Sequence, residues 1–452
     1  MMKKIQFLGA AGMVTGSSFL LSTETENLLI DCGLFQGTLE VTGLNYQPLA
    51  FDPRALNAVI LTHAHLDHCG RLPILIKNGF TGVIYLTQAS QMLVELTLLD
   101  AAKVARENNP NQILYTEEEV KQLLSHFKTV PYDQEFAVGS LAVILRDAGH
   151  ILGSATVEVW DRAGSSPRHI IFSGDLGNSP EDLLMPTEKI SAGDVVVMES
   201  TYGDRIHTKE DPRAVLTQEC SEIAKSGGTL LIPAFSLERT QELLHHFDHL
   251  KKTGAINNQM RVYLDSPMAI AATMIYKQFK ELYSPELKKH AFGDDPFDFP
   301  GLSLVESVPE SKLIKTQPGA KVIIAGSGMM TGGRILHHAK EFLPLASTRL
   351  LIVGYQAVGT LGRQLLEGVK QIHIHNQLVS VVATIRKSSG MSAHADQPKL
   401  LNWLKSIKDV KQIFLIHGED TARVILSEKI KTELQLSNIV LPKLNQTQTL
   451  DS

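Results

Sequence analysis

The stretch LTHAHLDHCG, residues 61 to 70, places His63, His65, Asp67 and His68 within six positions, directly after the apolar run Ala58-Val59-Ile60-Leu61. No other segment restricts the fold as much. The apolar run reads as a buried strand, and the loop at its end is where an α/β sheet carries a site. In extended backbone, residues two apart share a side, so His63 and His65 converge on one point. Asp67 and His68 lie past a bend and reach a second point nearby. Four donors in six residues crowd a single tetrahedral ion that must keep an open position, whereas they suit two adjacent ions. The alternative is a polar loop whose histidines cap a helix.

Two ions need further donors. His150 in DAGHILGSA, Asp175 in FSGDLGN and His417 in FLIHGED each follow a β-like run and sit beside a glycine, which lets the chain bend tightly. Any one of them alone reads as a turn residue. With the opening motif, all three read as ligands. Cys69 could also be a ligand, but a small buried residue is the better expectation. Cys32, Cys69 and Cys220 stand at unrelated spacings and suggest no disulfide framework, so a reducing cytoplasm is expected.

A chain of 452 residues implies two or three domains. The first ~200 residues are rich in short strands, read at 5–9, 17–22, 27–31, 142–145, 156–160, 169–172 and 195–198. Thr116 and Glu119 form a capping box that opens an amphipathic helix to Phe127. From about residue 206 the pattern changes to strand–helix units at 227–250, 261–279, 321–343 and 348–368, with Ser266 as an N-cap and Pro267 behind it. Such units imply a parallel sheet covered by helices. Another strand–loop–helix pattern spans 391–430, and the residues after Leu441 read as a frayed tail. No run of ~18 apolar residues suggests a membrane span. The net charge of −5 argues against non-specific coating of nucleic acid, while leaving room for a local basic cleft.

The motifs HAHLDH, GH, SGD and a late HG resemble those of the metallo-β-lactamase hydrolase fold. ESTYG (199–203), MSAHAD (391–396) and IHG (416–418) resemble the three extra motifs of its β-CASP nuclease branch. That branch includes the cleavage-and-polyadenylation endonuclease subunit and its bacterial and archaeal relatives. GSGMMTGGR and GYQAVGTLGR are also similar to segments of that subgroup, and the resemblance covers nearly the whole chain. It implies an α/β chain with an αββα sandwich built from residues 1–205 and 381–452, and a β-CASP domain inserted at 206–380. It implies two Zn2+ per chain, one on His63, His65 and His150, the other on Asp67, His68 and His417, with Asp175 bridging them and a water held between. Asp31 matches the family's first motif and is expected to orient a ligand or the water.

The activity implied is a zinc-dependent ribonuclease cutting single-stranded RNA internally, with 5′-3′ exonuclease action also open. His394 is the expected general acid and Glu199 its orienting partner. His417 favours RNA over DNA by analogy with other members of the branch. A DNA nuclease and a thioester or lactam hydrolase of the same core fold remain as alternatives. Ser327 and Gly328, in a glycine-rich strand-to-helix loop, and Arg334 and Arg363 are candidate phosphate contacts, although tight helix–strand packing explains such a loop equally well. The first strand begins close to Met1, so an N-terminal RNA-binding module is not expected. RNA affinity is then expected to be modest or to depend on a homodimer.

Overall fold

The computed structural model describes residues 4–108, 110–162, 167–178, 183–208, 210–388 and 390–450. The chain forms two compact units, Met1–Ile206 with His394–Ser452, and His207–Ala393.

The first unit contains two seven-stranded sheets among the described residues. One runs Thr447–Thr449, Lys4–Phe7, Phe19–Ser22, Asn27–Ile30, Ala58–Ile60, Val83–Leu86 and Phe127–Thr129. The other runs Ile439–Val440, Gln412–Ile416, Val195–Glu199, Arg168–Phe172, Ala155–Asp161, Leu141–Asp147 and Phe136–Val138. Their inner faces share one core, in which Ile5, Phe7, Leu28, Ile30 and Ile60 meet Val143, Val157, Phe172, Val197 and Phe414. On the outer face of the second sheet, Val196, Met198 and Leu415 pack under Leu400, Trp403, Leu404 and Leu426, which come from the helices Gln397–Lys405 and Asp420–Lys429. Burial on both faces explains why the central strands read as unbroken apolar runs rather than alternating ones.

Two local readings are corrected. The helix capped by Thr116 and Glu119 ends at Leu124, not Phe127. Phe127 instead opens an edge strand and pairs with Ile84. The supposed frayed tail contains Thr447–Thr449, which pairs antiparallel with Lys4–Gln6 and satisfies that strand's open edge, and Leu450 is buried behind it. The long helix Gln88–Asn108 also went unread.

The second unit is built on a six-stranded sheet in the order Leu302–Leu304, Arg261–Leu264, Lys321–Ala325, Thr229–Pro233, Thr348–Ile352 and Thr384–Lys387. Every pairing in it is parallel. Ser266 accepts a hydrogen bond from the Ala269 N–H and opens the helix Pro267–Tyr276. Thr384–Lys387 pairs with Thr348–Ile352, and this compact unit runs to Ala393.

Candidate metal centre

Parallel registers carry the site residues to one end of the first unit. Ile30 is opposite Ile60, so Asp31 and the 61–70 loop leave adjacent strands together. In the second sheet Glu199 is opposite Ile416, which brings the ends leading to Ser200 and His417 side by side. Asp175 follows the neighbouring strand Arg168–Phe172 through Gly174, whose φ of 58° lies in the left-handed region. A side chain at residue 177 would overlap the Gly149 carbonyl, so the loops bearing Asp175 and His150 touch backbone to backbone only because residue 177 is glycine.

The donors form two sets sharing Asp175. In the first, His65 Nδ1 lies 3.1 Å from His63 Nε2 and 3.2 Å from His150 Nε2. Asp175 Oδ2 lies 3.5 Å from His63 Nε2 and 3.7 Å from His150 Nε2. In the second, His417 Nε2 is 3.3 Å from His68 Nε2 and 3.4 Å from Asp67 Oδ2, and Asp175 Oδ1 is 3.3 Å from His68 Nε2. Metal–ligand bonds of 2.0–2.2 Å in a tetrahedron place donor atoms about 3.3–3.5 Å apart. The first set therefore fits a tetrahedral ion, and Asp67, His68 and His417 cluster closely enough to hold a second, with Asp175 reaching across to His68. Asp175 Oδ1 is buried with no hydrogen-bond donor aligned on it, as suits an oxygen that faces a cation.

Neighbouring groups fix the ring orientations. Asp31 Oδ2 is 2.7 Å from His68 Nδ1, and its carboxylate also accepts from the Thr62 N–H and hydroxyl, each at 2.8 Å. Thr62 Oγ1 is 3.0 Å from His63 Nδ1, and Thr201 Oγ1 is 3.0 Å from His417 Nδ1. Each contact occupies Nδ1 and leaves Nε2 for the centre. Sequence reasoning missed Thr62 and Thr201. Their only signal was adjacency, Thr62 to His63 and Thr201 within ESTYG. Asp31 and His417 themselves have φ of 59° and 48°, a strained backbone that aims both side chains inward. Burial drives the His65 imidazole down to about 4 and His63 well below its ordinary range, so both are neutral, as ligands must be. Thr201→Val is expected to weaken metal binding about 10–100-fold. Competition with a chromophoric chelator measures it, and unchanged affinity would remove Thr201 from this role.

His394 lies beside the shared aspartate. Its Nδ1 is 3.3 Å from Glu199 Oε1 and 3.9 Å from Asp175 Oδ2. Glu199 is fully buried and itself held by the N–H groups of Leu176 at 2.8 Å and Thr201 at 3.2 Å. Burial opposes charge on His394, but the Glu199 carboxylate and Asp175 outweigh it and push the ring up to about 9. Cys69 is buried, with its Sγ 3.5 Å from the Ala64 carbonyl, and joins neither donor set.

The proposed phosphate contacts are engaged within the second unit. Arg334 donates to Asp265 Oδ1 at 2.6 Å and to the carbonyls of Val305 and Glu306 at 2.9 and 2.5 Å. The neighbouring carboxylate balances its charge, which removes it as a free phosphate clamp. Arg363 is hydrogen-bonded to Glu367 at 2.7 Å, one helical turn on. The Ser327 hydroxyl accepts from the Thr331 N–H at 2.9 Å and closes its own loop, and a Cβ at Gly328 would run into the Phe235 ring. Packing accounts for this loop.

Residues 11–213 match the metallo-beta-lactamase superfamily, 240–365 the Beta-Casp domain, and 378–442 the Zn-dependent metallo-hydrolase RNA specificity domain. Ribonuclease TTHA0252 of Thermus thermophilus is 38% identical over 425 residues, 93% of this chain and 94% of that protein. The chain belongs to the β-CASP branch of the metallo-β-lactamase superfamily. It is thus a metal-dependent hydrolase of the nuclease type. The transcription termination factor FttA of Methanocaldococcus jannaschii is 30% identical over 95% of this chain and 69% of its own length. A solved structure of a protein of unknown function from Enterococcus faecalis V583 covers both chains fully at a TM-score of 0.53 and 12% identity, a likeness of fold alone.

Proposed function

We propose that this chain is a zinc-dependent endoribonuclease that hydrolyses phosphodiester bonds of single-stranded RNA. The observation that carries the reading is His394, held on buried Glu199 beside two donor sets that share Asp175. Two zinc ions held by His63, His65, His150, Asp67, His68, His417 and Asp175 would supply an activated water and charge stabilisation for an in-line displacement. A phosphodiester most needs this, because negative oxygens shield its phosphorus from attack. What the ions do not supply is the proton for the departing oxygen. His394 holds that proton, and Glu199 fixes the ring that delivers it. Thioester or lactam hydrolysis gives this carboxylate–histidine pair no comparable task. The match of residues 378–442 to an RNA specificity domain, and a relative named a ribonuclease, favour RNA over DNA. The burial of His63, His68 and His150 favours a flexible single strand over a stiff duplex.

RNA labelled separately at each end and incubated with the zinc-loaded protein tests the proposal. Internal cuts that yield complementary fragments from the two labels are expected. Mononucleotides released from the 5′ end would replace endonuclease with exonuclease. Turnover of DNA or a thioester with intact RNA would overturn the substrate.

A further inference from the structure

The helix Arg239–Lys252 buries polar side chains along most of its length, including His245, His246 and Asp248. A core-facing helix ordinarily presents an apolar stripe, so these groups need partners. His245 and Asp248 are three residues apart and lie on one face. Across from them is His290, on the helix Pro285–Gly293. The His245 and His290 ring centroids are 5.5 Å apart, and one donor atom from each of His245, Asp248 and His290 lies within 4.8 Å of the others. His290 Nε2 is 3.2 Å from Asp248 Oδ2, close to the edge of a metal-centred tetrahedron.

Two further features point to a cation. His245 is 7% exposed, and its Nδ1 is buried with no hydrogen-bond partner among the described residues, a costly arrangement unless the nitrogen is a ligand. The Lys252 ammonium already lies among the other groups, 2.8 Å from Asp248 Oδ1, 2.9 Å from His290 Nε2 and 2.5 Å from Asp294 Oδ2. The position thus attracts positive charge, while Lys252 sits on a flexible stem with 39% side-chain exposure and can withdraw into water.

We propose that His245, Asp248 and His290 form a further site for a divalent transition metal of the zinc class, with the Lys252 ammonium as the cation it displaces. Mixed imidazole and carboxylate donors suit zinc rather than magnesium or calcium. The three ligands come from two helices of the second unit, Arg239–Lys252 and Pro285–Gly293, so the ion would clamp these helices together. Nothing in it depends on what the first centre cleaves.

Zn2+ alone is the probe. After dialysis of the full chain against micromolar Zn2+, elemental analysis is expected to find three ions per chain in the wild type and two in His245→Gln and His290→Gln. Lys252→Met removes the competing ammonium, keeps three ions, and binds the weakest about tenfold more tightly. The Lys252→Met gain guards against a loss in the histidine variants that reflects misfolding. Two ions in the wild type would overturn the proposal. So would a third ion that survives both histidine substitutions, or a Lys252→Met chain that binds it no more tightly.

Discussion

On the proposed two-zinc reading, Asp175→Ala is expected to lower the zinc held at the first centre from two ions to less than one and to slow RNA cleavage by about 10²–10⁴-fold. The size follows from losing several kcal/mol of metal-based stabilisation at 1.36 kcal/mol per decade. Asp175 is singled out because its two oxygens face different donor sets, Oδ2 toward His63 and His150, Oδ1 toward His68 and His417. A histidine ligand removed from one set leaves the other intact, whereas Asp175→Ala opens both. Asp175→Asn keeps the shape but puts an amide NH2 in place of one oxygen. It is expected to retain one ion and show an intermediate rate. Elemental analysis beside single-turnover cleavage makes the comparison. Two ions retained at the first centre of the alanine variant would mean that Asp175 is not the shared ligand.

The site was legible where its chemistry is written in short segments. His63, His65, Asp67 and His68 come from one loop, and His150, Asp175 and His417 each sit by a glycine at a strand end, so spacing and residue type were enough to nominate them. All seven come together in the first unit. The supporting groups carry no such mark. In sequence, Thr62 and Thr201 look like any other threonines; what sets them apart is the imidazole nitrogen each faces, and that depends on registers set by strands far apart in sequence. The left-handed turns at Asp31 and His417 are equally invisible, since both residues fit ordinary strand ends.

Arg334 shows the opposite failure. A cation at a strand-to-helix turn near a glycine-rich loop suggests phosphate, but the Asp265 that neutralises it lies 69 positions away in sequence. The fold divides along the same line. The strand–helix units of the second unit were read from local periodicity. The closing strand Thr447–Thr449 was missed because its three residues, Thr-Gln-Thr, lack any apolar pattern, and only the open edge of Lys4–Phe7 at the other end of the chain makes them a strand.

His394→Ala is expected to reduce cleavage by about 10²–10⁴-fold at neutral pH, the usual worth of a positioned general acid, with the deficit shrinking above about pH 9. Glu199→Gln should behave differently, and that difference separates an acid role from a structural one. A general acid works only when protonated. With its imidazole pushed up to about 9, His394 is almost fully protonated at neutral pH, and its contribution is lost only as pH rises through that value. Glutamine preserves the size of Glu199 and can still face His394, but it removes the carboxylate charge that outweighs burial. The ring then returns to its ordinary value near 6.5 or below, so the alkaline loss of activity should begin about two units lower. At pH 6 the variant stays within a few-fold of wild type, and by pH 8 it falls behind by about tenfold or more, since each unit above the pKa costs a factor of ten in the protonated form. A phosphodiester with a nitrophenolate leaving group needs no proton and should be cleaved by the variant at close to the wild-type rate at both pH values. A uniform drop across pH on both substrates would show that Glu199 only supports the loop, and would remove His394 as the proton donor.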